Sequence, residues 1–330
     1  MEIKPSIGKH IFCLITIVFI VSASAITLKT NADLMPVPES LTLDASNIRK
    51  VQVMDRHHIP LTVTYQNRWN IHDYISLHDI PQFLRQAFVI SEDQRFFTHH
   101  GIDRLARCHA LWQNLKALGA LRGASTISEQ VVRMWHPRPR TFWSRWLEGF
   151  EAIQLEKKFS KADILEFYLN QIPYASQRRG IVQAARFYFD RDPDTLSRKE
   201  MLALAVMVRA PARLNLRKNP GAITKPIHQL ASRMKKRGWI DGQQVEQILK
   251  EHLPIKTPEP PVEAGHFVQH IYQRRRQPSL NVDGRMHTTL DASLQHKVQI
   301  ILDHCLKDLE KKDVKNGAVL VIDHRDHEIR

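Results

Sequence analysis

Two adjacent carboxylates, Glu92 and Asp93, lie between an apolar run and an aromatic pair within residues 87–101. A carboxylate that is partly removed from water has a raised pKa, and it then accepts a proton more readily near neutral pH. This segment could therefore supply a catalytic base. The alternative is a helix end at which both side chains lie in water, and the local composition taken alone favours that alternative.

A second segment is rich in small and hydroxyl-bearing residues, from Gly123 through Ser125 and Thr126. Its backbone amides and hydroxyl groups could approach the oxygens of a phosphate or a sugar, and Arg133 close behind could pair with a phosphate. The alternative is simply a helix that begins here, with Ser125 or Thr126 as its N-cap. The residues themselves leave both interpretations open.

A third candidate lies in the helix predicted for residues 142–157. Helical spacing puts its large apolar side chains on one stripe, namely Trp143, Trp146, Leu147, Phe150 and Ile153. Arg145 and Glu148 are three residues apart and are predicted to lie together on the opposite side. They could face a cleft, and the alternative is an ordinary surface ion pair.

Helical patterns run from about residue 79 to residue 250 and should position all three segments. Ser160 with Asp163, and Ser197 with Glu200, have the spacing of capping boxes, which predicts that helices start there. The helix after Ser197 is apolar on all sides and is expected to be buried. The chemistry-bearing residues are therefore predicted to lie in an α-helical domain.

The flanking regions differ from this helical part. Apolar alternation over residues 51–65 predicts a small β-hairpin, and the Pro-rich and charged residues 251–263 predict a linker. A further helix is predicted over residues 292–311, followed by a strand-like segment at 318–322. The chain is thus expected to continue beyond the helical domain into a second, α/β part.

The charge and the N-terminal segment limit the choice of partner. The net charge of +14 favours an anionic partner, and the three cysteines imply neither a disulfide framework nor a zinc site. Residues 11–28 are apolar and uncharged, close to the roughly 20 residues that cross a bilayer. Lys4 and Lys9 precede them, so the short tail should stay in the cytoplasm and the rest should be exported. A signal peptide cleaved after Ala25 is the alternative, and in both cases nucleic acid is not an expected partner.

Taken together, these segments resemble glycosyltransferase family 51, the peptidoglycan polymerase module of class A penicillin-binding proteins. The first family motif, E-D-x-x-F-x-x-H-x-G, is complete, with Glu92, Asp93, Phe96, His99 and Gly101. The second motif, G-x-S-T-I-x-Q-Q, is matched by Gly123, Ser125, Thr126, Ile127 and Gln130. The fourth motif, K-x-x-I-L-x-x-Y-L-N, is matched by Lys161, Ile164, Leu165, Tyr168, Leu169 and Asn170. Finer features resemble the penicillin-binding protein 1C type.

Four positions depart from the family pattern. Glu129 replaces the first Gln of the second motif, and His109 stands where the family has an arginine. In the third motif, R-K-x-x-E, Glu148 is kept, but Ser144 and Arg145 replace the two basic residues. One cation is thereby lost and another changes shape, because a guanidinium is not equivalent to an ammonium at a phosphate site.

The resemblance implies a mainly α-helical, lysozyme-like glycosyltransferase domain over residues 71–250. A cytoplasmic tail and transmembrane helix (1–30) and a linker with a small β-hairpin (31–70) would precede it. A linker (251–285) and the truncated start of a transpeptidase domain (286–330), a partial α/β remnant, would follow. The sequence has no Lys-Thr-Gly and no Ser-x-x-Lys after residue 250, so penicillin is not expected to acylate it.

The resemblance also implies a reaction at the outer face of the bacterial inner membrane. Glu92 would take the proton from the 4-hydroxyl of lipid II, and Glu148 would be the second catalytic residue. The donor would be a glycan strand on undecaprenyl pyrophosphate, inverted at its anomeric carbon to give a β-1,4 linkage. Substrate contacts are expected from Asp93, Phe96, His99, Gly123, Ser125, Thr126, Gln130, Arg133, Arg145, Lys161 and Asn170. A loosely bound divalent cation, Mg²⁺ or Mn²⁺, is expected near Glu148, and cell-wall synthesis proteins are expected partners.

Two functions from other classes stay open. One is a catalytically impaired scaffold that still binds lipid II, which the changes at Ser144 and Arg145 favour and the retention of Glu92 and Glu148 opposes. The other is a lysozyme-like enzyme that cleaves glycan strands. The motifs for binding a pyrophosphate oppose that second alternative, since a hydrolase has no such group to bind.

Overall fold

A computed structural model of the protein describes residues 5–43, 51–62, 68–116, 125–255, 264–274, 285–325 and 327–328. The described part is mainly α-helical with a small two-stranded sheet, as predicted. The chain divides into two compact units. The first comprises Met1–Leu41 and Glu92–Tyr168, and the second comprises Thr42–Ser91 and Leu169–Arg330.

The regular elements follow one another along the chain with short connections. The helices before the middle of the chain are α1 (Pro5–Asp33), α2 (Gln82–Glu92), α3 (Arg104–Lys116), α4 (Ile127–Trp135), α5 (Phe142–Lys158) and α6 (Lys161–Gln171). The later helices are α7 (Gly180–Phe189), α8 (Arg198–Met207), α9 (Thr224–Lys236), α10 (Gly242–Lys250), α11 (Gly265–Arg274) and α12 (Ala292–Leu309). The two strands are β1 (Gln52–Met54) and β2 (Arg285–His287).

Helix α1 is long and apolar enough to cross a membrane. Its segment Phe12–Asp33 has 22 residues and a mean hydropathy of 2.2, and its apolar side chains are exposed. The last turn of α1 contacts α5 of the same unit. The indole Nε1 of Trp146 donates to Thr30 Oγ1 at 3.0 Å, and that of Trp143 donates to the Asp33 carboxylate at 2.8 Å. The apolar helix is therefore fastened to the helix that carries the third motif.

Capping residues determine where the helices of the first unit begin. Thr126 caps α4 through a capping box with Glu129, and Thr141 caps α5 by accepting from the Ser144 amide. Ser160 and Asp163 bond to each other's backbone amides at the start of α6, which confirms that predicted capping box. Helices α4 and α5 then pack against each other and bring the second and third motifs together.

Helix α8 lies at the centre of the second unit. It begins with the predicted capping box of Ser197 and Glu200, and its residues from Met201 to Met207 are all buried. Helices α7, α9 and α10 pack around it. The sequence prediction of a buried helix at this position is thus confirmed.

The small sheet joins distant parts of the chain within the second unit. Strand β1 pairs in parallel with β2, so that Val53 lies opposite Met286. Of the predicted hairpin, the turn is present as an antiparallel bridge between Met54 and Pro60, and residues 63–65 lie outside the described part. Helix α11 occupies part of the predicted linker and contributes Val268 to the cluster around Val53.

The strand predicted for residues 318–322 is not formed. Only Ile322 makes an isolated bridge, and Val319 and Leu320 are exposed. An extended apolar segment becomes a strand only where a neighbouring backbone can accept its hydrogen bonds. No described strand lies beside this segment.

Candidate active site

The carboxylate of Glu92 is held at the end of α2 by a residue of α4. Gln130 Nε2 donates to Glu92 Oε2 at 3.2 Å, and the Tyr168 hydroxyl lies 3.5 Å from the other end of the Gln130 amide. Glu92 is partly exposed, so a substrate hydroxyl could reach it. The alternative of a freely solvated helix end is therefore wrong.

Asp93 points the other way, into the protein. It is buried, and its Oδ2 accepts from the backbone amide of Ile127 at 3.0 Å and faces His99 Nε2 at 2.9 Å. A carboxylate at the first amide of α4 also interacts favourably with the positive end of the helix dipole. The two adjacent carboxylates thus have different tasks: Glu92 faces the accessible side, and Asp93 joins α2 to α4.

Helix α4 connects Glu92 to Glu148. Gln130 and Arg133 are three residues apart and so lie on the same face of α4. Arg133 Nε and Nη2 donate to the two carboxylate oxygens of Glu148 at 2.9 and 2.6 Å, and Nη2 also lies 3.3 Å from Ser125 Oγ. Hydrogen bonding to Glu148 raises the pKa of Arg133. One face of a nine-residue helix therefore contacts both predicted catalytic glutamates.

The predicted orientation of α5 is wrong. Trp146 and Phe150 are 45% and 38% exposed, whereas Glu148 is only 3% exposed. The helix buries the side with Leu147, Glu148 and Glu151 because α4 lies there and supplies Arg133 as a partner for the Glu148 charge. Arg145 is exposed and pairs with no described acidic residue.

The second motif has a structural as well as a possible binding role. Thr126 Oγ1 donates to the Gly101 carbonyl at 2.6 Å, so the N-cap residue also ties the first motif to the second. Glu129 completes the capping box and pairs with Arg107 of α3. Burial raises the pKa of Glu129 against the effect of Arg107. Ser125 is the partly exposed hydroxyl of this segment, and Gly123 lies outside the described residues.

The residues of the first and fourth motifs meet at a second charged cluster. His99 lies between Asp93 and Glu156, and Lys161 Nζ donates to Glu156 Oε1 at 2.7 Å. The Lys161 ammonium also lies 4.4 Å from the centroid of the buried Phe96 ring, a cation–π contact. Phe96, His99 and Lys161 are thus brought together as interior supports behind Glu92.

Asn170 has a structural role in the second unit. It is buried, its Nδ2 donates to the Ile75 carbonyl at 2.8 Å, and its Oδ1 accepts from the Ile75 amide at 2.9 Å. Both ends of the amide are therefore occupied by backbone. The predicted substrate contact is not supported, because no accessible polar atom of Asn170 remains to make it.

Several functional neighbours were missed from the sequence. Glu151 of α5 is buried and binds Arg138 bidentately at 2.6 and 2.8 Å, and it also accepts from the Met35 amide at 2.8 Å. Glu156 was missed in the same way. Their spacing offered a signal, since Glu148 and Glu151 are three apart and Arg133 and Arg138 precede them within one helical hairpin.

The described residues do not form a ready-made metal site. No group of three or more His, Cys, Asp or Glu side chains in the described part is arranged to hold a metal ion. Both oxygens of Glu148, near which a cation was expected, are bonded to Arg133. A divalent cation therefore does not fit Glu148 as the structure presents it.

Comparisons with known proteins agree with the arrangement of these motifs. A family model described as Transglycosylase matches residues 60–235. Penicillin-binding protein 1C of Escherichia coli (strain K12) is 28% identical over 256 residues, which cover 78% of this chain and 32% of that protein. Penicillin-binding protein 1A of Aquifex aeolicus (strain VF5) is 31% identical over 255 residues, covering 76% of this chain and 35% of that protein. The crystal structure of penicillin-binding protein 1A from Haemophilus influenzae aligns with 84% of this chain and 33% of that one, at 18% identity and a TM-score of 0.41. The chain thus spans about a third of the length of these curated relatives.

Proposed function

The chain belongs to the transglycosylase family, glycosyltransferase family 51, and from this premise we propose that it is a peptidoglycan glycosyltransferase that joins lipid II units into β-1,4-linked glycan strands. The observation that carries the proposal is the face of α4. Gln130 on this face contacts the partly exposed Glu92, and Arg133 one turn further on pairs with Glu148. A base and a cation are thus presented from one rigid element.

Glu92 acts as the general base. It takes the proton from the 4-hydroxyl of the acceptor sugar, and the oxygen attacks the anomeric carbon of the donor. The bond from that carbon to the diphosphate breaks with its electron pair, so the carbon is inverted and undecaprenyl pyrophosphate leaves. A carboxylate at hydrogen-bond distance from a substrate hydroxyl is suited to this step.

Arg133 and Arg145 would counter the charge that develops on the leaving diphosphate. Arg133 is held in place by Glu148 and Ser125, and the exposed Arg145 lies on the neighbouring helix α5. Donors that are already in position stabilise developing charge without reorganisation during the reaction. Glu148 contributes by orienting the Arg133 guanidinium as well as by its own charge.

A divalent cation is a separate part of the proposal. We propose that Mg²⁺ or Mn²⁺ enters with the donor, bound mainly to its diphosphate oxygens, since Glu148 is engaged by Arg133. Polymerisation should then rise with added Mg²⁺ at fixed donor concentration. Equal rates in Mg²⁺ and in excess chelator would contradict a cation requirement.

The substrates and the anchor fit one location. Lipid II and the growing strand are lipid-linked anions, and the protein has a net charge of +14 and a membrane-length apolar helix fastened to α5. We propose a single-pass protein whose globular part lies outside the cytoplasm. Cysteine labelling with a membrane-impermeant reagent tests this orientation, because the exposed Cys108 should react in intact spheroplasts.

The decisive experiment is polymerisation of labelled lipid II by the full chain. The parent should give long glycan products, and Glu92→Gln should give none while retaining its melting temperature. Glu246→Gln on the exposed surface of α10 is the matched control and should polymerise normally. Lipid II binding without product from the parent would favour the scaffold, and shortening of preformed strands would favour a lytic enzyme.

A further inference from the structure

Glu156 of α5 is contacted from three directions within the first unit. Its side chain is only 4% exposed, and Oε1 accepts from Lys161 of α6 at 2.7 Å and from the Ser128 hydroxyl of α4. The same oxygen lies 3.8 Å from His99 Nδ1. A single carboxylate thus connects the segment after α2 with α4, α5 and α6.

Two routes lead from Glu156 to Glu92. In the first, His99 Nε2 lies 2.9 Å from Asp93 Oδ2, and Asp93 directly follows Glu92. In the second, Ser128 belongs to the first turn of α4, two residues before the Gln130 that holds Glu92. A shift of Glu156 would therefore reach the base both through its own segment and through the helix that orients it.

The contact between Glu156 and His99 is incomplete. Glu156 Oε2 and His99 Nδ1 are buried atoms, and neither has a hydrogen-bond partner in the described part of the protein. A buried polar group without a partner is costly, so such pairs are expected to close. A movement of about 1 Å would shorten the 3.8 Å separation to a normal hydrogen bond.

We propose that Glu156 is a positioning residue that sets the geometry of Glu92 through His99 and Asp93. The inference rests on the proposed function, because it concerns the same base. An ion pair of this kind adds little net stability, since desolvation of the charges offsets their attraction. An apolar side chain of similar volume would pack as well here, whereas only a carboxylate can orient His99, Ser128 and Lys161 together.

Glu156→Gln should lower kcat without changing KM for lipid II. The amide keeps the shape of the side chain but removes the charge that faces His99 and Lys161. Because a misplacement of about 1 Å can cost roughly 100-fold in rate, we expect kcat to fall about 10- to 100-fold. Ser128→Ala, which removes only one hydrogen bond from Glu156, should give a smaller fall of the same kind.

Glu151→Gln is the matched control. Glu151 lies on the same helix, is equally buried and is also ion-paired, but it contacts Arg138, His136 and the Met35 amide and not His99. It should lose as much thermal stability as Glu156→Gln while keeping its kcat. A merely structural role for Glu156 predicts instead that kcat follows the melting temperature in both variants.

The imidazole of His99 supplies a readout that does not depend on activity. In detergent-solubilised full chain labelled with ¹⁵N-histidine, His99→Asn identifies the His99 ring signals. Glu156→Gln and Ser128→Ala should move them, and Glu151→Gln should not. Unchanged His99 signals in Glu156→Gln, or equal kcat losses in Glu156→Gln and Glu151→Gln, would overturn the inference. Absence of product from the parent chain would instead overturn the proposed function, and the catalytic part of this inference with it.

Discussion

Arg133 binds both carboxylate oxygens of Glu148, at 2.9 and 2.6 Å. This pair crosses from α4 to α5 and links the second motif to the third. The replacements at Ser144 and Arg145 therefore leave Glu148 with its partner, because that partner comes from another helix. Ser144 itself is buried and bonds to Thr141 at the N-cap of α5, so its position is part of the helix start.

Arg133→Lys should lower kcat for polymerisation by about 10- to 100-fold, comparable to the loss of one charge-stabilising donor. An ammonium cannot make two parallel bonds to a carboxylate, so Glu148 and the diphosphate would compete for it. Steady-state kinetics with lipid II measure the effect. Arg138→Lys, which disturbs the similar pair with Glu151, is the control and should lower the melting temperature at unchanged kcat. Equal kcat losses in both would contradict a special role for Arg133.

Gly101→Ala should prevent the first unit from folding stably. Gly101 has a φ of +75°, and a Cβ atom there would lie 2.5 Å from the backbone nitrogen of Ile153 in α5. Gly238→Ala is the matched control, since Gly238 has a φ of +74° with no heavy atom within 4 Å of the added Cβ. The control should lose only about 1–2 kcal/mol for the left-handed backbone. Thermal melting of both variants measures the difference, and similar losses would show that close packing does not matter at Gly101.

Much of the helical architecture could be predicted because its signals are local. The capping boxes at Ser160 and Ser197 lie within four residues of chain, and both helices begin where predicted. The motifs around Glu92 and Ser125 also come together as expected. Parallel pairing of β1 with β2 could not be predicted in this way, since Val53 and Met286 are far apart in the chain.

The orientation of α5 shows why the rest could not be predicted. Periodicity separates a helix into faces, but it does not say which face another element will cover. The aromatic stripe looked like a core face, yet Trp143 and Trp146 contact the last turn of α1, and the charged face is buried by Arg133 and Arg138. Side-chain pairing across helices depends on tertiary neighbours that no local pattern contains.

Glu129→Gln should stabilise the protein at neutral pH. Burial raises the pKa of Glu129, so the folded state favours its protonated form, and its contribution to stability is lost as the pH rises through the folded pKa. Glutamine keeps the capping-box acceptor without the charge, and Arg107 is exposed enough to remain hydrated. We expect a gain of about 1 kcal/mol, or roughly 2–4 °C, at pH 7.5. The gain should shrink below about pH 4.3, the ordinary pKa of a glutamate. A gain that does not depend on pH would contradict this explanation.

Glu151 should have the opposite pH dependence. Burial acts to raise its pKa, but hydrogen bonds from Arg138, the Met35 amide and His136 outweigh burial and lower the pKa. Its contribution to stability is therefore present above the ordinary glutamate pKa of about 4.3 and is lost as the pH falls through the lower, folded-state value.

Glu151→Gln should therefore cost about 1–3 kcal/mol at pH 7, because Arg138 loses a charged partner. The deficit relative to the parent should shrink as the pH falls below about 4.3, where the parent carboxylate also becomes protonated. Since Met35 and Asp33 follow α1, the variant should also loosen the link between α1 and α5, where Trp143 bonds to Asp33. Thermal melting in detergent between pH 3 and 8, with tryptophan fluorescence as the signal, tests both effects. If the deficit stays constant over this range, the loss arises from altered packing at Glu151 and its ionisation is not involved.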